Sequence, residues 1–365
     1  MYVKYLQCYS CGKKFSRAHL SYHCSCGGSF EIIYDYAHLK EHITWKELRS
    51  RAFNHWRYRE FYPFLPTDEV VTLQEGGTPL VQSSLEKNVW FKCEALNPTG
   101  SFKDRGTTIE ISQAKAQNAE HIICASTGNM GASVAAYSAR ANIPCTIVMP
   151  RIHAPEKIAQ MKHYGAKIKI VSGDYAKAEQ YAYDLYQRKG AYLVGDYAYR
   201  GEGEKSVGFE ILDQMQNVDF IISPVGNGTL ISGIWKAIVE FKKVGLVKKI
   251  PKLIGVQASG CNTVVKAWKE KTKIKQVIPK TIASAIACGN PLDGAKAVDA
   301  LQQSRGMGAI VTDKEILAAR KRMSSQGIDA ESSGAVAYAG YLKLKPRGKC
   351  VVLQTGHGLK DVSRY

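Results

Sequence analysis

His121-Ile122-Ile123-Cys124-Ala125, the alanine-rich stretch 130–142 and Cys145-Thr146-Ile147-Val148-Met149 decide how this chain folds. The two short runs are apolar without alternation, as in strands covered on both faces. The segment between them has helical length and composition. The pattern continues outward. It predicts a helix over 154–164, a strand over 167–171, a helix over 175–189, a strand over 192–194, a helix around 208–215 and a strand over 220–222. Strands separated by helices are joined by crossovers and pair in parallel, so the chain reads as α/β. Two open sheets with a ligand cleft between them suit its 365 residues. No Walker loop and no G-x-G-x-x-G fingerprint occurs, which argues against an NTPase or a nicotinamide enzyme.

Just before this unit stands Asn97-Pro98-Thr99-Gly100-Ser101-Phe102-Lys103-Asp104-Arg105-Gly106. Asn97, Pro98 and Gly100 are turn formers, and Asp104 opens a predicted helix that runs to Ala114. A lysine at a helix start and packed beside Phe102 is expected to lose hydration, which lowers its pKa toward the neutral amine. A neutral amine is what Schiff-base chemistry needs. Further on, Pro224-Val225-Gly226-Asn227-Gly228-Thr229 leads from a strand into a predicted helix over 230–240. Glycines there let backbone N–H groups converge on phosphate oxygens, and the helix N-terminus adds positive potential.

These runs resemble the motifs of the threonine synthases, within the fold-type-II (tryptophan-synthase-β-like) pyridoxal phosphate enzymes. Lys103 stands where that family carries its pyridoxal lysine. Glu75-Gly76-Gly77-Thr78-Pro79-Leu80, Ser126-Thr127-Gly128-Asn129, the 224–229 turn, the stretch 282–291 and Thr355-Gly356-His357-Gly358-Leu359-Lys360-Asp361 are similar to further family segments. They stand in the family's order over roughly residues 70–365. The resemblance implies two open-sheet α/β domains: residues 71–95 and 196–365 in a larger, cofactor-binding one, and 96–195 in a smaller one. It implies pyridoxal 5'-phosphate as cofactor and a homodimer.

The same resemblance implies roles. Lys103 is the catalytic, cofactor-linked lysine, and Asn129 meets the cofactor's phenolic oxygen. Val225, Gly226, Asn227, Gly228 and Thr229 cradle its phosphate, and Thr355 stands at the pyridine nitrogen. A neutral hydroxyl there favours β and γ elimination or replacement over transamination. Ser126 and Thr127 meet the substrate carboxylate. Arg200, with Glu202, Gly203 and Lys205, is similar to the segment R-x-E-G-Q-K-T, whose arginine helps hold the substrate's phosphate. The implied reaction is that of a carbon–oxygen lyase, converting O-phospho-L-homoserine and water to L-threonine and phosphate. Met130 stands where the family usually has threonine, and Gly195-Asp196 where it often has Asn-Ser. Thr229 and Leu230 depart from the family's GNAGN. Asp196 would repel a phosphate dianion unless it points elsewhere. Met130 and Asp196 lie at the substrate end, and they support an alternative: β-replacement or elimination on O-phosphoserine or a similar amino acid, as in cysteate synthases.

Residues 1–35 read as a separate unit. Cys8-Tyr9-Ser10-Cys11-Gly12 and Cys24-Ser25-Cys26-Gly27-Gly28 form a C-x2-C…C-x-C array, with glycine after each pair permitting a tight knuckle. Four thiolates, Cys8, Cys11, Cys24 and Cys26, would enclose a structural Zn2+ ion and supply stability that so small a unit lacks. His19 and His23 are read as surface residues, since four cysteines complete the shell. Residues 36–70, aromatic and charged and ending near Pro63 and Pro66, read as an N-terminal helical arm.

Composition bounds the rest. With 45% hydrophobic residues the chain is core-forming. It has no apolar run of membrane-spanning length and no signal-peptide block, so a cytoplasmic location is expected. Fifty basic against 32 acidic residues give +18, but the lysines are dispersed without an arginine-aromatic stripe. Solvated helix faces and attraction for anionic substrates account for them better than nucleic acid does.

Overall fold

The computed structural model describes residues 2–16, 22–64, 69–151, 155–173, 175–188 and 190–362. His19 and Pro66 lie outside them. At the N-terminus β1 (Val3–Cys8), β2 (Lys14–Phe15) and β3 (Phe30–Tyr34) pair antiparallel in the order β2-β1-β3. Leu6, Phe30, Ile32 and Tyr34 point inward from alternate positions and merge with the main core. The arm that follows comprises three short helices, Tyr36–His42, Trp45–Arg49 and the 3-10 helix His55–Phe61. They lay Trp45, Tyr58 and Phe61 around Phe241.

The remaining strands are β4 (Leu80–Gln82), β5 (Val89–Cys93), β6 (His121–Ala125), β7 (Cys145–Pro150), β8 (Lys167–Val171), β9 (Ala191–Val194), β10 (Phe220–Pro224), β11 (Lys252–Ala258), β12 (Met307–Val311) and β13 (Cys350–Gln354). They form a six-stranded sheet in the order β12-β11-β10-β13-β5-β4 and a four-stranded sheet in the order β8-β7-β6-β9. Every pair is parallel except the edge pair β4–β5. Parallel pairing follows from the intervening helices, and burial on both faces from the helices that cover them. Ile222 sits in register with both Ile254 and Val352, all three fully buried.

The predicted strands over 121–125 and 167–171 stand where they were read, and the one from Cys145 runs one residue further. The helix expected over 154–164 spans Pro155–His163, with Ala154 outside the described residues. The helix expected over 175–189 ends at Tyr186, and Lys189 likewise lies outside. The helices Asn129–Ala141 and Thr229–Lys243 follow β6 and β10, and Thr355 follows β13 directly. Each therefore starts at the carboxyl end of a strand, the side on which open α/β sheets bind ligands. No helix among the described residues is long and apolar enough to cross a membrane.

Candidate active site

Two buried anchors fix the loop that carries Lys103. The Phe102 amide donates to the Thr355 carbonyl at 3.1 Å, and Ser101 forms a β-bridge with Gly356. These contacts tie the loop to the end of β13. Asp104 accepts from the Thr99 amide (2.7 Å), the Thr99 hydroxyl (2.6 Å) and the Ser133 hydroxyl (2.6 Å). Burial pushes its carboxyl up to about 6 even against those bonds. Arg105 is fully buried and grips two carboxylates, Glu94 at 2.6 and 2.7 Å and Glu210 at 2.6 and 2.8 Å. The helix Lys103–Ala116 thus begins rigidly.

Lys103 Nζ lies 3.0 Å from Glu204 Oε1, 3.7 Å from Asp196 Oδ1 and 4.5 Å from the Phe102 ring centroid. Here the sequence expectation fails. Burial does pull the ammonium down, but Glu204 and Asp196 outweigh it and hold Lys103 above the ordinary lysine range. Glu204 belongs to the helix Ala198–Glu204, whose close approach needs Gly203. A Cβ there would lie 2.0 Å from the Arg105 carbonyl oxygen. Lysine and carboxylate are brought together by backbone contact between two helices, a relation that sequence spacing does not display.

Asp196 also links Lys103 to the glycine turn, because its Oδ2 accepts from Asn227 Nδ2 at 2.6 Å. Its charge points to the lysine and the turn, so the feared repulsion of a ligand is partly answered by neutralisation. In that turn Gly228 has φ +95°, and a Cβ on it would meet the Asp293 carbonyl oxygen at 2.6 Å. Only glycine lets the chain enter the helix Thr229–Lys243 in this way. Buried and without hydrogen-bond partners here are Thr229 Oγ1, Asn129 Oδ1 and Ser101 Oγ. Buried polar atoms are normally paired. Unpaired atoms at the turn and beside the lysine loop, next to a glycine-rich helix N-terminus and an amine, suit a polar, phosphate-bearing aldehyde such as pyridoxal phosphate.

The other expected residues are placed unevenly. Asn129 Nδ2 donates to Glu331 Oε1 at 2.5 Å, and Glu331 in turn holds Lys157 at 2.9 Å. Ser126 Oγ accepts from the Gly128 and Gly131 amides at 3.3 and 2.9 Å, leaving its own O–H to donate elsewhere. Met130 packs into the core beside β6 and β7. Arg200 does not present its guanidinium to the cleft. It is fully buried, paired with Glu110, and donates to the Gly195 carbonyl at 3.1 Å and the Thr107 hydroxyl at 3.3 Å. Burial pushes Glu110 up to about 8 although Arg200 pulls it down. Lys205 is equally buried, held by Glu202 and by Glu240 at 3.0 Å. In this arrangement the carboxylates of Glu110, Glu202 and Glu240 hold the two cations. Glu204 is the residue that sequence reasoning missed. Its signal was a glutamate where the R-x-E-G-Q-K-T pattern has glutamine.

At the N-terminus the four expected cysteines converge, with all sulfurs within 4.8 Å of one another. Cys8 and Cys26 are 3.5 Å apart and Cys11 and Cys24 3.7 Å. A tetrahedral ion with Zn–S bonds of about 2.3 Å would space its sulfurs by about 3.8 Å. The unit docks on both sheets' helices and strands: Ser29 to Asp293 (3.1 Å), Lys296 to the Phe30 carbonyl (3.0 Å), and the Leu193 amide to the Tyr22 hydroxyl (3.2 Å). His23 lies against Tyr197 with ring centroids 5.4 Å apart.

The chain is 41% identical to the threonine synthase of Methanocaldococcus jannaschii, over 97% of this chain and 92% of that one. It is 38% identical to that of Methanosarcina acetivorans, over 98% and 92%. Among solved structures, threonine deaminase isoform 2 from Solanum lycopersicum superposes with a TM-score of 0.67 at 25% identity, covering 79% of this chain and 85% of that one. Maize serine racemase gives 0.69 at 24% identity, over 77% and 88%. The family described as pyridoxal-phosphate dependent enzyme matches residues 71–356, a span that takes in both parallel sheets, the Lys103 loop and the glycine turn. The chain belongs to that family.

Proposed function

We propose that this chain is a threonine synthase, converting O-phospho-L-homoserine and water to L-threonine and phosphate. The observation that carries the reading is identity of 38 to 41% to threonine synthases over more than nine-tenths of both chains. When bound, pyridoxal phosphate supplies the electron sink that stabilises negative charge at the substrate's carbon atoms. The chain supplies the rest. The backbone amides of 226–229 and the dipole of the helix Thr229–Lys243 would hold the cofactor phosphate, the Val225 amide being taken by the Val256 carbonyl at 2.9 Å. The Asn129 amide, positioned by Glu331, and the Thr355 hydroxyl would hold the cofactor ring, at its phenolic oxygen and its ring nitrogen respectively. Ser126 and Thr127 bind the substrate carboxylate at the start of the helix Asn129–Ala141. Lys103 would hold the cofactor, and its amine would move protons at the substrate's α, β and γ carbons. Arg200 serves as a buried counter-charge behind Lys103 and Glu204.

We read residues 71–95 and 196–365 as the larger, cofactor-binding domain and 96–195 as the smaller, in a cytoplasmic homodimer. The reading is tested with a panel of phospho-amino acids, measuring phosphate release and identifying products. Threonine from O-phosphohomoserine is expected. A replacement product from O-phosphoserine, with no threonine from O-phosphohomoserine, would favour the second reading, to which Asp196 beside Lys103 lends support.

The four-cysteine cluster is read as a structural zinc site. Chelation, or Cys8→Ser with Cys24→Ser, is expected to release about one zinc per chain. It should loosen residues 1–35 in hydrogen exchange while the two sheets stay protected. Protein grown with zinc and found metal-free would end that assignment.

A further inference from the structure

We propose that Glu204 is the proton partner of Lys103: it takes one proton from the lysine ammonium, freeing a neutral amine, and returns it when the lysine is next released. The inference rests on Lys103 being the cofactor lysine, and goes beyond it by assigning the residue that controls its protonation.

The geometry is direct. Glu204 Oε1 is 3.0 Å from Lys103 Nζ, and Glu204 is fully buried. Its second oxygen, Oε2, is buried with no hydrogen-bond partner. In such a setting burial penalises both charges of the pair, which narrows the gap between the ion pair and the neutral pair (amine plus carboxylic acid) relative to water. Burial lifts the Glu204 carboxyl above the usual carboxylate range even though Lys103 and Arg200 pull it down. The transfer balances without a further reactant. One N–H bond of the ammonium breaks, one O–H bond forms on Glu204, and the pair is neutral overall before and after.

The neighbours favour Glu204 over any other acceptor. The charged groups facing it are Lys103, Arg200 from its own helix at 3.9 Å, and Asp196 from the turn before that helix. Glu110 shares Arg200 with Glu204 and adds a further negative charge near it. Asp196 is farther from Nζ, at 3.7 Å, and already accepts from Asn227. Although buried, it is held below the usual range by Lys103 and Arg200, which makes it a poor base. The lysine's raised affinity for its proton therefore has an outlet in Glu204 alone among these groups. A neutral glutamine in the R-x-E-G-Q-K-T pattern at this place indicates that the backbone tolerates the isosteric replacement.

The test uses the full chain stripped of cofactor and mixed with pyridoxal phosphate. The rate of covalent attachment is read by borohydride quenching and the mass of the Lys103 peptide. At pH 7 we expect E204Q to attach the cofactor about 100-fold more slowly than the wild type, in line with loss of one positioned proton acceptor. Acetate in the buffer should accelerate E204Q in proportion to its concentration and leave the wild type unchanged. E204D, which keeps a carboxylate, should attach within about tenfold of the wild-type rate and ignore acetate. E204Q attaching as fast as the wild type, or faster, and without response to acetate would mean that Glu204 only lends charge, and would overturn the proposal. Acetate acceleration of E204D would overturn it too. Wild-type protein that fixes no cofactor on Lys103 would overturn the functional reading, and this proposal with it.

Discussion

Lys103→Ala is expected to lower kcat/KM for the phosphorylated substrate by roughly 10³-fold or more. A positioned acid–base group is worth about 10²–10⁴-fold by itself, and Lys103 is also the covalent attachment point. The structure argues that the loss is chemical and not a collapse. The helix Lys103–Ala116 is anchored by Asp104 and Arg105, neither of which depends on the lysine amine. Glu204 loses its closest cation but keeps Arg200 at 3.9 Å and can hold a proton in place of a charge. Circular dichroism should therefore match the wild type. Borohydride should fix no cofactor at position 103, while pyridoxal phosphate still binds reversibly through the 225–229 turn. A variant that retained a tenth of wild-type turnover, or fixed its cofactor on another lysine, would remove Lys103 from the centre of the mechanism.

The parts of this site that the sequence made legible are those written in local chemistry. The strand–helix alternation from His121 to Pro224 follows from runs of Ile and Val with an alanine-rich helix between them, and it stands in the fold with bounds shifted by up to three residues, except that the helix Ala198–Glu204 was not expected. The glycine turn at 226–229 was legible because positive φ and close backbone approach need glycine. What was not legible is which charges meet across the chain. Lys103 was expected to be a depressed amine because apolar and turn residues flank it, yet two carboxylates about a hundred residues away reverse the sign. Arg200 and Lys205 were expected to face substrate because they lie in a phosphate-holding pattern. Of the carboxylates that hold them, Glu110 and Glu240 come from other helices, while Glu202 lies three residues before Lys205. Pairwise burial of charge is a property of packing, and spacing along one segment carries no record of it.

The same lesson makes Arg105 the largest stability prediction. Its guanidinium is fully buried and gives Nε and Nη2 to Glu94 and Nη1 and Nη2 to Glu210. Lys92, also buried, adds a second cation to Glu210 at 2.7 Å. Arg105→Met keeps much of the side chain's bulk but leaves Glu94 with only the Thr78 hydroxyl at 2.6 Å and the Asn97 amide at 2.9 Å. Breaking a buried pair from one side costs about 3–5 kcal/mol, because a charge is left uncompensated away from water. Adding Glu94→Gln should recover part of that loss, since the second change removes the stranded charge; a double-mutant cycle in urea measures the coupling. The pH dependence gives an independent check. Against its burial, Arg105 and Lys92 hold the wild-type Glu210 carboxyl far below the ordinary range. Its contribution is thus full above the unfolded value of about 4.3 and is lost as pH falls below it. A buried carboxylate stripped of its guanidinium behaves oppositely, binding a proton more tightly folded than unfolded. The deficit of Arg105→Met should therefore shrink as pH is lowered from 7 to 5, while the wild type changes little over that interval on account of this pair. A deficit that stays constant with pH, and is not relieved by Glu94→Gln, would locate the cost in lost packing and not in stranded charge.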